Sequence, residues 1–449
     1  MTATATPLWA IAPFILYLLL IAIMPLFFGA FWEHNRNKFL VAVVLSAPVV
    51  GYLILARGPR GGEELLRTAC DYASFMALLG ALFTISGGIC LRGSLAGAWW
   101  VNLGFLAVGA VLGSIIGTTG ASVLLIRPLL RANARRGYVT HIVVFFIFIV
   151  SNAAGLLTPL GDPPLFLGFL RGVPFTWTLR LLPAWAMVNG ILLAVFSVID
   201  RYLVLRERRR PRPAQLPVFD AAADDDGPLH LDGGLNFVWL LGIVAFVFSI
   251  GSYGNRLFGD SYLRSAVQVL GTVAFGALSF VTTARQVHER NRFSWGPIIE
   301  VAVVFVGVFL TMVPALSFLA ERGASLGIVR PAQFFWASGA LSSVLDNAPT
   351  YLTFASLATG VVDAGAGLLS AGNLGGLAAH PTGQQLLVAV SCGSVMMGAV
   401  TYIGNGPNFM VKSIAESAGV KVPTFFGYLV KYSLPILLPI LALSGLLFL

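Results

Sequence analysis

Long apolar runs separated by short polar turns fill this chain from end to end. Runs at 8–31, 39–55, 72–91, 177–205, 235–253, 262–282, 297–319 and 425–449 each reach the length of ~17–25 residues that lets a helix cross a bilayer. Four further apolar segments, 95–130, 141–170, 331–359 and 385–418, are interrupted in the middle. In 95–130 the interruption is Gly117-Thr118-Thr119-Gly120-Ala121-Ser122, and the arm after it, 123–130, is too short to span. That predicts a re-entrant hairpin, with a second one at 331–359 around Ser342-Ser343-Val344-Leu345-Asp346-Asn347-Ala348-Pro349. The pattern therefore predicts an all-α polytopic membrane protein of about 10–11 transmembrane helices plus two re-entrant hairpins.

The interruptions in 141–170 and 385–418 match each other. Thr158-Pro159-Leu160-Gly161-Asp162-Pro163-Pro164 and Thr401-Tyr402-Ile403-Gly404-Asn405-Gly406-Pro407 both read T-x-x-G-[DN]-x-P, at one constant offset. Proline ends a helix and frees backbone carbonyls, and a carboxylate at membrane depth must be paired or hydrated. Such backbone survives in a bilayer only where it lines a cavity or is buried in protein. Paired helix breaks in corresponding halves point to the binding site of a secondary transporter.

Composition agrees with the pattern. Of 449 residues 57% are hydrophobic and 10% charged, against the ~25% charged of soluble chains. The net charge of +9 sits in short loops, at Arg131, Arg135 and Arg136, at 206–212, and at Arg285, Arg290 and Arg292. This is the bias of cytoplasmic loops, not a nucleic-acid footprint. Cys70, Cys90 and Cys392 lack metal-ligand spacing and read as packing residues. No Walker A sequence occurs, so ATP does not drive transport from within this chain. The residues before Leu8 carry no positive charge, so the first run is expected to stay as a membrane helix rather than be cleaved.

The expected organisation is scaffold helices in 1–71, a first repeat in 72–205, a cytoplasmic linker in 206–234, more scaffold in 235–296, and a second repeat in 297–449. With each hairpin re-entering on its own side, the Arg-rich loops fall inside, the loop 361–384 without Lys or Arg falls outside, and both ends lie outside. The two repeats then enter the membrane in opposite directions, as an inverted pair. The acidic run Asp220, Asp224, Asp225 and Asp226 in the linker reads as solvated sequence, not a metal site.

Asp162 and Asp346 are the carboxylates placed beside the breaks. Freed carbonyls, hydroxyls and a carboxylate are what a hard cation such as Na⁺ requires, so Asp162 with Thr158, and Asp346 with Ser342 and Ser343, are expected to form two quasi-symmetric ion sites. The plainer alternative is that each Asp only caps a half-helix. Asn152, Asn347, Asn405 and Asn408, with the hydroxyls of Thr118, Thr119, Ser122 and Thr401, are candidate substrate contacts or satisfy backbone opened by the breaks. Gly117, Gly120, Gly161 and Gly404 are expected to permit the turns. His141 reads as an interfacial residue, Glu300 as a carboxylate on a helix N-terminal dipole, and Lys412 as a positive-inside anchor.

The stretches SNAAGLLTPLGDPPLFLG, SSVLDNAPTYLTF and GAVTYIGNGPNFMVKSIAE, in the order hairpin tip then broken helix, twice, resemble the ion-transporter superfamily. That group includes arsenite permeases, sodium/proton antiporters of the NhaD type, citrate transporters and sodium-coupled dicarboxylate symporters. The resemblance covers 72–205 and 297–449 and implies a scaffold and a transport domain, elevator-like movement and a homodimer. The antiporter and arsenite branches usually carry an acidic residue in the first hairpin as well, where this chain has Thr118-Thr119-Gly120. The first functional expectation is Na⁺/H⁺ antiport across a bacterial inner membrane, with Na⁺ as transported or coupling ion and no other cofactor. The second is Na⁺- or H⁺-coupled symport of citrate, a dicarboxylate or another anion. A membrane enzyme or channel is the third, disfavoured because the two Asp residues lie in separate repeats.

Overall fold

The structure, a computed structural model, describes residues 6–92, 97–209, 230–259, 262–291, 293–363 and 373–449. Among these, ten helical stretches are long and apolar enough to cross a membrane, and the only sheet is a two-stranded one. The helices are α1 (Ala12–Phe27), α2 (Asn35–Arg57), α3 (Pro59–Gly87), α4 (Trp99–Ile116), α5 (Thr118–Ala132), α6 (Thr140–Ile149), α7 (Pro163–Leu170) and α8 (Leu182–Arg209) in the first half. The second half has α9 (Leu235–Phe258), α10 (Tyr262–Thr282), α11 (Gly296–Arg322), α12 (Pro331–Ser342), α13 (Asn347–Asp363), α14 (Pro381–Met396), α15 (Gly406–Ser417) and α16 (Phe425–Phe448). The chain is a multi-pass, all-α membrane protein.

Burial separates two kinds of helix. In α6 every residue from His141 to Ile149 is buried, and α14 is buried over most of its length. A helix apolar on all sides belongs in the middle of a bundle. By contrast α2, α9 and α10 expose Leu, Val and Phe, such as Val43, Val44, Leu241 and Leu270, as helices facing lipid do. The buried helices cross between halves: α13 packs on α7, and α15 packs on α5. Gly168 of α7 makes the first approach possible, because the Tyr351 ring of α13 lies where a side chain would stand.

Several boundaries differ from the sequence reading. The first hairpin is not interrupted over 117–122: α5 begins at Thr118 and only Gly117 breaks it, with φ +81°. The second arm therefore starts at Thr118 instead of Val123. The mixed-charge stretch 57–71, which lies between the expected runs 39–55 and 72–91, is mostly helix at the start of α3, because its charges find partners. Arg57 chelates Glu64 through two bonds of 2.8 and 2.9 Å, and Asp71 stands 3.7 Å from Arg171. Of the expected linker, 206–209 completes α8, 210–229 lies outside the described residues, and His230–Asp232 pairs antiparallel with Cys90–Arg92. In the loop 361–384 a short helix, Gly375–Ala379, follows the undescribed residues 364–372.

Polar side chains also join helices that lie far apart in the chain. Asp200 of α8, fully buried, accepts from Arg136 (2.6 Å), His141 (2.9 Å) and Asn102 (2.8 Å). One carboxylate thus ties α4, the turn after α5, α6 and α8. His141 is a buried partner of Asp200 rather than an interfacial residue. Glu300 pairs with the buried Lys38 of α2 at 2.5 Å, so it does more than sit on a helix dipole.

Candidate functional site

Both broken helices are built by the same local means. After α6 the chain makes a 3-10 turn, Ala153–Leu156, and enters α7 through Asp162 in extended backbone (φ −148°, ψ 145°). After α14 it makes a 3-10 turn, Met397–Val400, and enters α15 through Asn405 at nearly the same angles (φ −152°, ψ 139°). Proline in the first turn of α7 and of α15 suits a position whose N–H needs no partner. Gly161 packs on the carbonyl of Gly155 and Gly404 on that of Gly398, each too close to admit a Cβ. The glycines of the motif therefore serve backbone approach.

The motif threonines hold the breaks against the hairpins. The Thr158 hydroxyl donates to the carbonyl of Ser114 at the end of α4, and its oxygen accepts from Leu160 N at 3.2 Å. The Thr401 hydroxyl donates to the Ser343 carbonyl after α12, and its oxygen accepts from Ile403 N at 3.1 Å. Ser342 donates to the carbonyl of Ser394 at 2.6 Å, and Ser343 back to Ala340 at 2.7 Å. Thr158, Thr401, Ser342 and Ser343 thus form seams and do not reach either carboxylate.

Four half-helix starts meet at Asp162. Its Oδ1 accepts from the Thr118 hydroxyl (2.8 Å), at the first residue of α5, and distantly from Asn405 Nδ2 (3.5 Å), which precedes α15. Its Oδ2 accepts from Asn347 Nδ2, at the first residue of α13. Asp162 itself precedes α7 and caps no backbone N–H with its side chain. Asn405 Nδ2 also reaches the Ser151 carbonyl (3.1 Å) and Asn152 Oδ1 (3.2 Å). Asn152 donates to Asn408 Oδ1 at 2.7 Å, and Asn408 to the carbonyls of Gly398 and Thr401 at 2.8 and 3.1 Å. Ser122 and Ser151 share a 2.9 Å hydroxyl bond at the edge of this network.

The expected pair of quasi-symmetric sites is therefore a single cluster in this structure. Asp162 is the carboxylate at its centre, with Thr118 in place of Thr158 as the hydroxyl partner, and the second half contributes amides. Asp346 accepts from Ala348 N at 3.0 Å, the bond of a helix cap, whereas the Asp162 side chain caps no backbone N–H. Ser151 and Ser114 were not singled out by sequence. The signal for Ser151 was its place directly before Asn152, and for Ser114 a hydroxyl within one turn of the Gly117 break.

Asn347 Oδ1 is buried and has no hydrogen-bond partner among the described residues. With the Asp162 carboxylate and the Thr118 hydroxyl it makes a set of hard oxygen donors suited to an alkali cation or a water. A cavity of about 30 Å³, lined by Phe75, Leu82, Thr118, Thr119, Asp162 and Phe166 among others, adjoins Asp162 and Thr118. That space admits a water or a small ion and not a drug-sized solute, whose sites run to ~300 Å³ and above. No group of three or more His, Cys, Asp or Glu that could hold a metal ion stands together among the described residues.

Among curated proteins no relative matches this chain. The sequence profile of the family described as "Putative citrate transport" matches residues 3–449, nearly the whole chain. The broken helices, the multi-pass fold and this match agree: the chain belongs to that family and is a secondary transporter of the citrate transporter-like kind.

Proposed function

We propose that the protein couples a cation, Na⁺ or H⁺, at Asp162 to the movement of citrate or a similar small carboxylate across the membrane. The observation that carries this is the meeting of four half-helix N-termini at one buried carboxylate. Each helix N-terminus is equivalent to about +0.5 charge, so four contribute about +2, which Asp162 and the adjacent Asp346 roughly balance. A near-neutral site of this make-up suits an anion together with a cation better than a cation alone. Helix N-termini hold anions without any basic side chain, and Asn347, whose amide makes a single bond to Asp162, stands at one of them. The family match favours the same substrate class.

Na⁺/H⁺ antiport is the second reading. The observation that favours it is the size of the space beside Asp162, about 30 Å³, which suits an ion. Competition between Na⁺ and H⁺ for the one carboxylate would then give the exchange. The two are separated in proteoliposomes carrying an internal pH dye and supplied with labelled citrate. Citrate uptake driven by an inward Na⁺ or H⁺ gradient, and absent in Asp162→Asn, supports symport. Proton efflux on adding Na⁺ without any citrate flux would replace it with antiport.

A further inference from the structure

A second cavity, of about 410 Å³, opens between the start of α6, the arginine-rich end of α8 and the start of α16. Its volume lies within the ~300–1,000 Å³ of small-molecule sites. Tyr138, His141 and Tyr432 supply polar wall, and Lys421 and Lys431, both exposed, stand at its edge. No salt bridge among the described residues engages either lysine. Arg206 adds a third positive charge, 5.7 Å over the Tyr138 ring. The neighbouring carboxylates are already engaged: Glu207 accepts from Tyr138 N (2.6 Å) and Arg136 (3.2 Å), and Asp200 from Arg136 and His141. The cavity is a basic pocket for an anion.

What surrounds it selects the kind of anion. On α8, Val198, Tyr202 and Leu205 are exposed along one face, and on α16 Phe426, Val430 and Leu434 are exposed at four-residue intervals. The later turns of α16, Leu438–Phe448, pack on α8, and both exposed stripes lie next to residues that line the cavity, Leu203 on α8 and Lys431 and Tyr432 on α16. A free di- or tricarboxylate has no use for such stripes, whereas acyl chains do. Basic pockets between membrane helices on the cytoplasmic side are suited to anionic lipid headgroups. We propose that this cavity binds the phosphate headgroup of an anionic phospholipid, with Lys421 and Lys431 on the phosphate and the acyl chains against α8 and α16. Because His141, in its wall at the start of α6, is bonded to Asp200 of α8, the lipid steadies the end of the broken helix that carries Asn152 and Asp162 farther on.

The test uses the full chain in phosphatidylcholine nanodiscs doped with phosphatidylglycerol or cardiolipin, with the lipid retained after exchange into mild detergent counted by native mass spectrometry. Selective retention of the anionic lipid is expected. Lys421→Ala with Lys431→Ala should weaken it about thirtyfold, at about 1 kcal/mol for each surface lysine. Lys421→Arg with Lys431→Arg should keep it, which distinguishes lost charge from lost fold. Equal retention of phosphatidylcholine, or unchanged selectivity in the double alanine variant, overturns the proposal. Release of the lipid by millimolar citrate or inorganic phosphate also overturns it, and makes the pocket a soluble-anion site.

Discussion

Asp162 takes hydrogen bonds from side chains of three different half-helices, and this fixes what its replacement does. An amide at 162 keeps one acceptor oxygen but turns an N–H₂ toward Asn347 or Asn405, both of which donate. A buried donor left facing a donor costs about 1–3 kcal/mol, and the charge that attracts a cation is gone. Asp162→Asn should therefore abolish gradient-driven uptake. Asp346→Asn differs, because an amide oxygen still accepts from Ala348 N. It should raise the half-saturating Na⁺ concentration by less than about tenfold, or 1.4 kcal/mol. Uptake measured against Na⁺ concentration decides the matter. Equal losses in the two variants would make Asp346 an ion ligand of the same standing as Asp162.

At the scale of elements, the helix breaks are held open by close backbone approach and by hydroxyl seams, and neighbouring glycines need not share a role. Gly404 packs against the carbonyls of Ser342 and Gly398, while a Cβ on Gly406, two residues later, meets nothing within 4 Å. Gly404→Ala should cost about 1–3 kcal/mol through overpacking, and Gly406→Ala should leave stability unchanged or raise it by up to ~1 kcal/mol. Thermal unfolding in detergent compares the pair, and equal melting temperatures would mean that the break relaxes freely. Arg136→Ala tests the other kind of joint. It leaves Asp200 buried without its guanidinium, and breaking such a pair costs about 3–5 kcal/mol. A melting temperature within a degree of the parent would remove this network from the framework. The breaks themselves were legible in the sequence because their chemistry is local: Pro, Gly and Asp or Asn within seven residues dictate them. The partners of Asp162 were not, since Asn347 is 185 residues away and Thr118 is 44. The Thr158 hydroxyl, nearer to Asp162 in sequence, serves the Ser114 carbonyl instead. The helical start of α3 was hidden for a similar reason, as 57–71 looks like a loop until Arg57 and Asp71 are seen to have partners.

For the whole molecule, the geometry at Asp162 describes a closed state. The carboxylate is 2% exposed, and the space beside it is about 30 Å³, lined on one side by Phe75, Leu78 and Leu82 of α3. No carboxylate solute of the size of citrate enters such a space, so a transport cycle requires a second arrangement in which the hairpin tip and α3 part. A ligand shifts that balance only by its difference in affinity for the two arrangements. Thr119, beside Thr118 on the cavity wall, reports on it. Thr119→Cys is made with Cys70 replaced by Ala, since Cys90 and Cys392 are buried and Cys70 is not. Its rate of reaction with a maleimide should be slow in this closed state and change at least about tenfold when Na⁺ and citrate are both present, which is a population shift of 1.4 kcal/mol. Na⁺ alone or citrate alone should do less if the two are coupled as proposed. A rate indifferent to both would mean that the hairpin tip does not move relative to α3, and opening would then have to occur along another seam of the bundle.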